Sequence, residues 1–297
     1  MKRLLPVLVL ALLWACPAWA DKLPVAVGIE PMKYFVDRIG GDLVETTVMV
    51  PAGSDPHTYE PKPSQMRAIS SAALYFALGL EFEEAWVPRF QAANPRLKVV
   101  RADFGIRKLP MAEHHHHGGE GAAHEEHHGG HAEADDPHVW TAPPLVKFIA
   151  EHILESLSGA DPANAVTYRH NEADFLRELD QLDAEIRAAL KGVPKNRRTF
   201  LVFHPSWGYF AQTYGLTQEA VEIEGKEPGP KELAHMVEEA RKDGITVVFV
   251  QPQFSQRTAE TIARAIGGTV AVADPLAGNW AENLREVAKA FRTSMKK

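Results

Sequence analysis

The stretch DPANAVTYRHNEADFLRELDQLDAEIRAALKGVP, residues 161–194, sets the architecture. Asp161-Pro162 is a helix start, an N-cap followed by a first-turn proline, and no glycine or proline follows until Gly192 and Pro194. Phe175, Leu179, Leu182, Ile186 and Ala189 recur at spacings of 4, 3, 4 and 3, one apolar stripe, while Glu178, Asp180, Asp183 and Arg187 fall on the wet face. A helix over 162–190 would be a rod of about 43 Å at about 1.5 Å per residue. A rod of that length spans two lobes, and its flanks repeat one pattern.

Upstream, the apolar run Leu23–Ile29 is followed by a helical stretch to Gly40-Gly41, a β-branched run Leu43–Val50, a helix near 63–71, a strand 73–78, a helix 83–92 and a strand 97–100. Downstream the rhythm restarts: strands 199–203, 220–223, 245–250 and 269–272 alternate with helices 206–214, 230–242, 255–266 and 279–294. Alternation of this kind predicts an α/β protein, two βα lobes with mainly parallel sheets joined by one long connecting helix. The expected division is a signal peptide over 1–20, an N-terminal lobe over 21–160, the connecting helix over 161–191 and a C-terminal lobe over 192–297.

Residues 1–20 carry Lys2 and Arg3, an apolar run Leu4–Ala15, and small residues Ala18 and Ala20 around Trp19, the pattern of a secretory signal. Cys16 is the single cysteine, in a weak lipoprotein-like box, so cleavage after Ala20 is the expectation and lipid anchoring through Cys16 the alternative. The mature chain then has no disulfide. It also has 30 basic against 39 acidic side chains, which argues against a nucleic-acid partner. No other segment is apolar for the length a membrane span needs, and nothing points to more than a monomer.

HHHHGGEGAAHEEHHGGH, residues 114–131, breaks the pattern. Its histidines, His114, His115, His116, His117, His124, His127, His128 and His131, lie among glycines and acids with almost nothing to pack. The expectation is a mobile loop over 113–133 that binds metal weakly and in several places, since clustered neutral imidazoles are zinc-type ligands.

Of the remaining histidines, His152, His170 and His235 sit in helical polar surroundings and are read as solvated. His57 (GSDPHTYEPKPSQ, 53–65), His138 (DPHVW, 136–140) and His204 (FHPSWGYFAQTYGL, 203–216) fall in loops at or near element ends, as does Asp274 (ADPLA, 273–277). Open α/β sheets build ligand sites where strands deliver their carboxyl ends. Three imidazoles and one carboxylate, two from each lobe, match a tetrahedral site for zinc, with nitrogens at about 2.0–2.1 Å. The bland reading is that each is a turn or cap former, which is common for Asp-Pro.

Those four strings, in this order and with a His-rich insertion between the first two, resemble the zinc-uptake branch of the periplasmic zinc/manganese solute-binding proteins of ABC transporters. The resemblance covers nearly the whole mature chain. It implies two lobes joined by a rigid helix, one metal in the cleft between them, and His57, His138, His204 and Asp274 as ligands. Manganese-type relatives carry Glu where His204 stands, and exchanging an oxygen donor for an imidazole moves preference towards zinc. The sequence departs from some zinc-type relatives in lacking a second-lobe disulfide, and others leave the fourth position to water in place of an acid. Glu222 or Glu224 resembles a segment near the cleft and is a candidate to orient an imidazole.

The function expected is therefore capture of Zn(II) in the periplasm and delivery to a membrane permease of an ABC transporter, with zinc as cargo and no reaction catalysed. Two alternatives are a secreted zinc hydrolase using the same histidines and a His-rich metal buffer without a permease. A hydrolase needs a general base beside an open site; the string HEEHH, 124–128, falls inside the glycine-flanked His-rich stretch with no helical pattern around it, so it is no HExxH helix, and the chain has no Ser-His-Asp string.

Overall fold

The computed structural model describes residues 22–111, 135–222, 226–254 and 256–295. The expected signal peptide with Cys16, the eight histidines of 114–131 and Glu224 lie outside the described residues.

The first half runs β1 (Leu23–Val27), α1 (Glu30–Gly40), β2 (Val44–Val48), α2 (Pro63–Ser71), β3 (Leu74–Ala77), α3 (Glu81–Ala93) and β4 (Lys98–Arg101). It is closed by α4 (Pro143–Ala160). A 3-10 turn, Pro162–Asn164, then leads into α5 (Ala165–Leu190). The second half runs β5 (Thr199–Val202), α6 (Gly208–Tyr214), β6 (Thr217–Ala220), α7 (Pro230–Lys242), β7 (Val247–Val250), α8 (Gln256–Ala265), β8 (Thr269–Val272) and α9 (Trp280–Ser294).

The strands form two parallel sheets, ordered β2-β1-β3-β4 and β6-β5-β7-β8. Each is one topology used twice, with the strand order reversing between its first and third strands. That switch point is where an open α/β sheet leaves a crevice at its carboxyl edge. Parallel strands covered on both faces must be apolar throughout, and β3 (LYFA) is buried at every position.

The expected connecting helix is α5, whose first turn is the tighter 3-10 geometry set by Pro162. Phe175, Leu179, Leu182 and Ile186 of its stripe are buried. The stripe meets α4 and α1 on one side and α9 on the other, so one helix packs on both halves. At the junction Trp280 of α9 stands edge-on to Phe35 of α1, with ring centroids 4.8 Å apart, and Phe35 lies 5.9 Å from Phe175 of α5. Trp280 Nε1 donates to Trp140 O at 2.9 Å, and Trp140 Nε1 donates to Pro275 O at 2.8 Å. Buried apolar residues of both lobes and α5 consequently belong to one continuous core, with a smaller second core around Val248 and Ile262 in the C-terminal lobe. Among the described residues no helix is long and apolar enough to cross a membrane.

Candidate metal centre

Two of the three loop histidines are set by the same local device. Asp55-Pro-His57 and Asp136-Pro-His138 each fold so that the aspartate Oδ1 accepts the backbone N–H of the histidine two residues on, at 2.9 Å in both. This is the Asx turn that Asp favours, with proline fixing the middle residue. In the first turn Asp55 Oδ2 also takes Thr58 Oγ1, at 3.1 Å. His204 is placed differently, two residues beyond the end of β5. Its peptide is gripped in both directions by Gln251 at the end of the neighbouring β7, whose Oε1 accepts His204 N–H at 3.2 Å and whose Nε2 donates to His204 O at 2.6 Å.

The fold brings these three histidines together. One nitrogen from each of His57, His138 and His204 lies within 4.8 Å of the others. The His204 ring stands 5.0 Å from that of His57 and 5.4 Å from that of His138, centroid to centroid, and lies flat on Phe254 at 5.1 Å. Each imidazole holds a carboxylate on its Nδ1: Glu81 for His57 at 3.3 Å, Asp136 for His138 at 2.7 Å, and Glu222 for His204 at 2.5 Å. A carboxylate there keeps the proton on Nδ1 and leaves Nε2 as the lone-pair donor, the outer support that metal-binding imidazoles use. His204 Nε2 is buried with no hydrogen-bond partner, an orphan that a cation would satisfy.

The rings open onto a cavity of about 20 Å³ whose walls include Leu80, Trp140, Phe254 and Leu276. That volume holds one ion or one water. Burial pulls the His138 imidazole below its usual range, with the Asp136 carboxylate acting in the opposite direction. Burial disfavours the charged ring, and a neutral ring is what a cation requires.

Asp274 is not part of this cluster. Asp274-Pro-Leu276 is a third copy of the Asx turn: Oδ1 accepts Leu276 N–H at 2.9 Å and Gln253 Nε2 at 3.2 Å. Where the other two turns present a histidine, this one presents Leu276 to the cavity wall. The carboxylate stands one layer back, behind Gln253.

Glu222 was legible as an orienting group, and the structure sets it on His204. Glu81 and Gln251 carry no such signal, since each reaches its histidine only through the tertiary fold. The role of Asp136 is written in the repeated Asp-Pro-His. His152, read as solvated, has its Nε2 3.0 Å from Phe104 O on the protein surface, and His170 and His235 are exposed on helices, all away from the cluster.

Similar proteins include zinc-binding proteins and solved structures. High-affinity zinc uptake system protein ZnuA of Bacillus subtilis is 31% identical over 264 residues, 87% of this chain and 80% of that protein. Zinc-binding protein AdcA of Streptococcus pyogenes is 29% identical over 265 residues, 86% of this chain but 51% of its own length, so the chain spans about half of that relative. A crystal structure of ZnuA superposes with a TM-score of 0.84 at 40% identity, covering 93% of this chain and 100% of that one. A zinc-bound ZnuA deletion mutant gives 0.83 at 40% identity, covering 93% and 99%. The family described as zinc-uptake complex component A, periplasmic, matches residues 25–294, nearly all of the described chain, and the chain belongs to that family.

Proposed function

We propose that the protein captures one Zn(II) between its lobes, outside the cytoplasm, and delivers it to the membrane permease of an ABC transporter. The observation that carries this is the convergence of three imidazoles from both halves on an ion-sized cavity, each with its Nδ1 held by a carboxylate. His57, His138 and His204 are the primary donors. Asp274, whose hydrogen bonds to Leu276 and Gln253 both use Oδ1, becomes the fourth donor through Oδ2 only by moving forward past Gln253, and water takes the position otherwise. A three-imidazole set suits zinc better than manganese, which prefers oxygen donors.

In this reading residues 1–20 direct export, residues 21–160 and 192–297 are the two halves of the clamp, and 161–191 connect them. The histidines of 114–131 gather further zinc weakly. In this reading Zn(II) is cargo, and no reaction is assigned to the three imidazoles that face the small cavity. The names of the relatives, zinc-binding and zinc-uptake proteins, support the same cargo.

Metal analysis of the purified protein, followed by titration with Zn(II) and Mn(II) against a chelator, tests the proposal. The expected result is one tight zinc site with manganese bound far more weakly. A hydrolase would instead show an open coordination position and turnover of an ester or peptide. Absence of a tight site would remove the function altogether.

A further inference from the structure

Tyr209 ties the segment carrying one histidine to the segment carrying another. It lies in α6, five residues after His204, and is buried. Its hydroxyl donates to Asp136 O at 2.8 Å and accepts the N–H of Leu109 at 2.9 Å. Leu109 O in turn accepts the N–H of Asp136 at 2.8 Å, and Pro110 pairs with Asp135 as an isolated antiparallel bridge. One phenol of the C-terminal lobe therefore closes a ring of hydrogen bonds with two strands of chain from the N-terminal lobe. Asp136 is the last link, because its carboxylate holds both the backbone and the Nδ1 of His138. Gly208, beside the tyrosine, approaches the same carboxylate so closely that a Cβ there would meet Asp136 Oδ2 at 2.8 Å.

We propose that Tyr209 is a positioning residue for zinc: it fixes His138 relative to His204 across the cleft through Asp136. This rests on the reading of His138 as a ligand. The separation of two ligands held on different lobes is otherwise set by packing and by the hydrogen bonds of Trp140 with Pro275 and Trp280, and a buried hydroxyl satisfying one donor and one acceptor adds a constraint on direction as well as distance. Replacing the tyrosine with phenylalanine removes one oxygen and leaves the ring, so the packing stays while Leu109 N–H and Asp136 O lose their partner. The ligand shell then widens.

The test is Tyr209→Phe beside His138→Ala, with Zn(II) affinity by chelator competition, zinc release by stopped flow, the visible spectrum of the Co(II)-loaded protein, and the melting temperature of the metal-free form. Tyr209→Phe is expected to weaken zinc about tenfold, within the range for supports of metal ligands. It should also speed release and alter the Co(II) bands. Affinity, release rate and Co(II) spectrum all within twofold of the parent, with only the melting temperature lowered, would make Tyr209 merely structural and overturn the proposal.

If Tyr209→Phe does not fold, Gly208→Ala presses on Asp136 without deleting a hydrogen bond, and an unchanged affinity there overturns the proposal equally. His138→Ala separates the two levels. If it retains tight zinc, the metal reading itself fails. If it loses zinc while Tyr209→Phe does not, only the positioning role fails.

Discussion

Glu222 Oε2 lies 2.5 Å from His204 Nδ1, both side chains buried, and the opposite ring nitrogen has no protein partner. The pair is a directed donor. The carboxylate fixes the tautomer and the ring plane, and the lone pair faces the cavity shared with His57 and His138.

Removing an imidazole should therefore cost more than removing its support. His57→Ala, His138→Ala and His204→Ala are each expected to weaken zinc by more than about a hundredfold, the upper end for loss of a supporting group alone. Asp274→Ala should cost less, because its carboxylate stands behind Gln253 and water can take its place. Competition with a zinc chelator ranks the four, and near-parent affinity in the histidine variants would sink the assignment.

The supports should rank by burial. Glu222→Gln and Asp136→Asn, whose carboxylates are almost fully buried against their histidines, are expected to weaken zinc by about 10- to 100-fold. Glu81→Gln should do less, since Glu81 is largely exposed and its contact with His57 is 3.3 Å. An equal loss in all three would mean that burial does not govern the effect.

Acidity should act through His138. Its imidazole is held below its ordinary value by burial, so between the folded and the unfolded pKa the unfolded chain takes up the proton and the folded one does not. That contribution to stability is whole above about pH 6.5, the unperturbed value, and is lost as pH falls through the folded pKa. Zinc affinity should fall over the same direction, with protons taken up on release, since only neutral rings coordinate. Calorimetry in buffers of different ionisation enthalpy counts those protons, and a pH-independent affinity from 7 to 5 contradicts imidazole ligands.

Glu83 should show the opposite slope. Its Oε2 accepts the N–H groups of Leu78, Gly79 and Leu80 at the start of α3, yet burial pushes it up from 4.5 to about 7. The folded state thus holds a proton that the unfolded state has released, and stability falls as pH rises from about 4.5 to about 7. The lost amount is on the order of 3 kcal/mol. Glu83→Gln keeps an oxygen for the three amides and carries no charge, so it should gain stability over the parent at pH 8 relative to pH 5. Chemical unfolding of both forms without metal checks it, and parallel pH profiles would refute it.

Excision of 113–133 should spare the tight site. Pro110 and Asp135 are already paired outside that stretch, so a short turn can join the two sides without pulling on Asp136 or His138. The expected change is loss of the additional, weaker zinc assigned to the histidines of 114–131. Zinc stoichiometry before and after excision decides it.

The alternation of strand and helix and the uninterrupted stripe of α5 were legible because they are local patterns with a fixed period. The histidines were legible because His57, His138 and His204 stand in turn-rich strings whose order along the chain resembles one family. Asp274 shows the limit: Asp-Pro looks the same whether its oxygen serves a turn or an ion, and only the third residue, Leu276 in place of a histidine, tells the copies apart. Glu81 and Tyr209 act on partners 24 and 100 residues away in sequence, at His57 and Leu109, and no spacing rule reaches so far. The seam of Trp280, Phe35 and Phe175 is of the same kind, since each aromatic alone reads as ordinary core.

That seam bears on the energetics of loading. A clamp that swings freely spends most of its time open, and its measured affinity is diluted by the fraction that is closed. Here both lobes and the helix between them share one core, so bringing His57 and His138 to His204 is a cost met on folding and not on binding. The converse falls on unloading: parting the histidines would disturb packing that the two lobes hold in common.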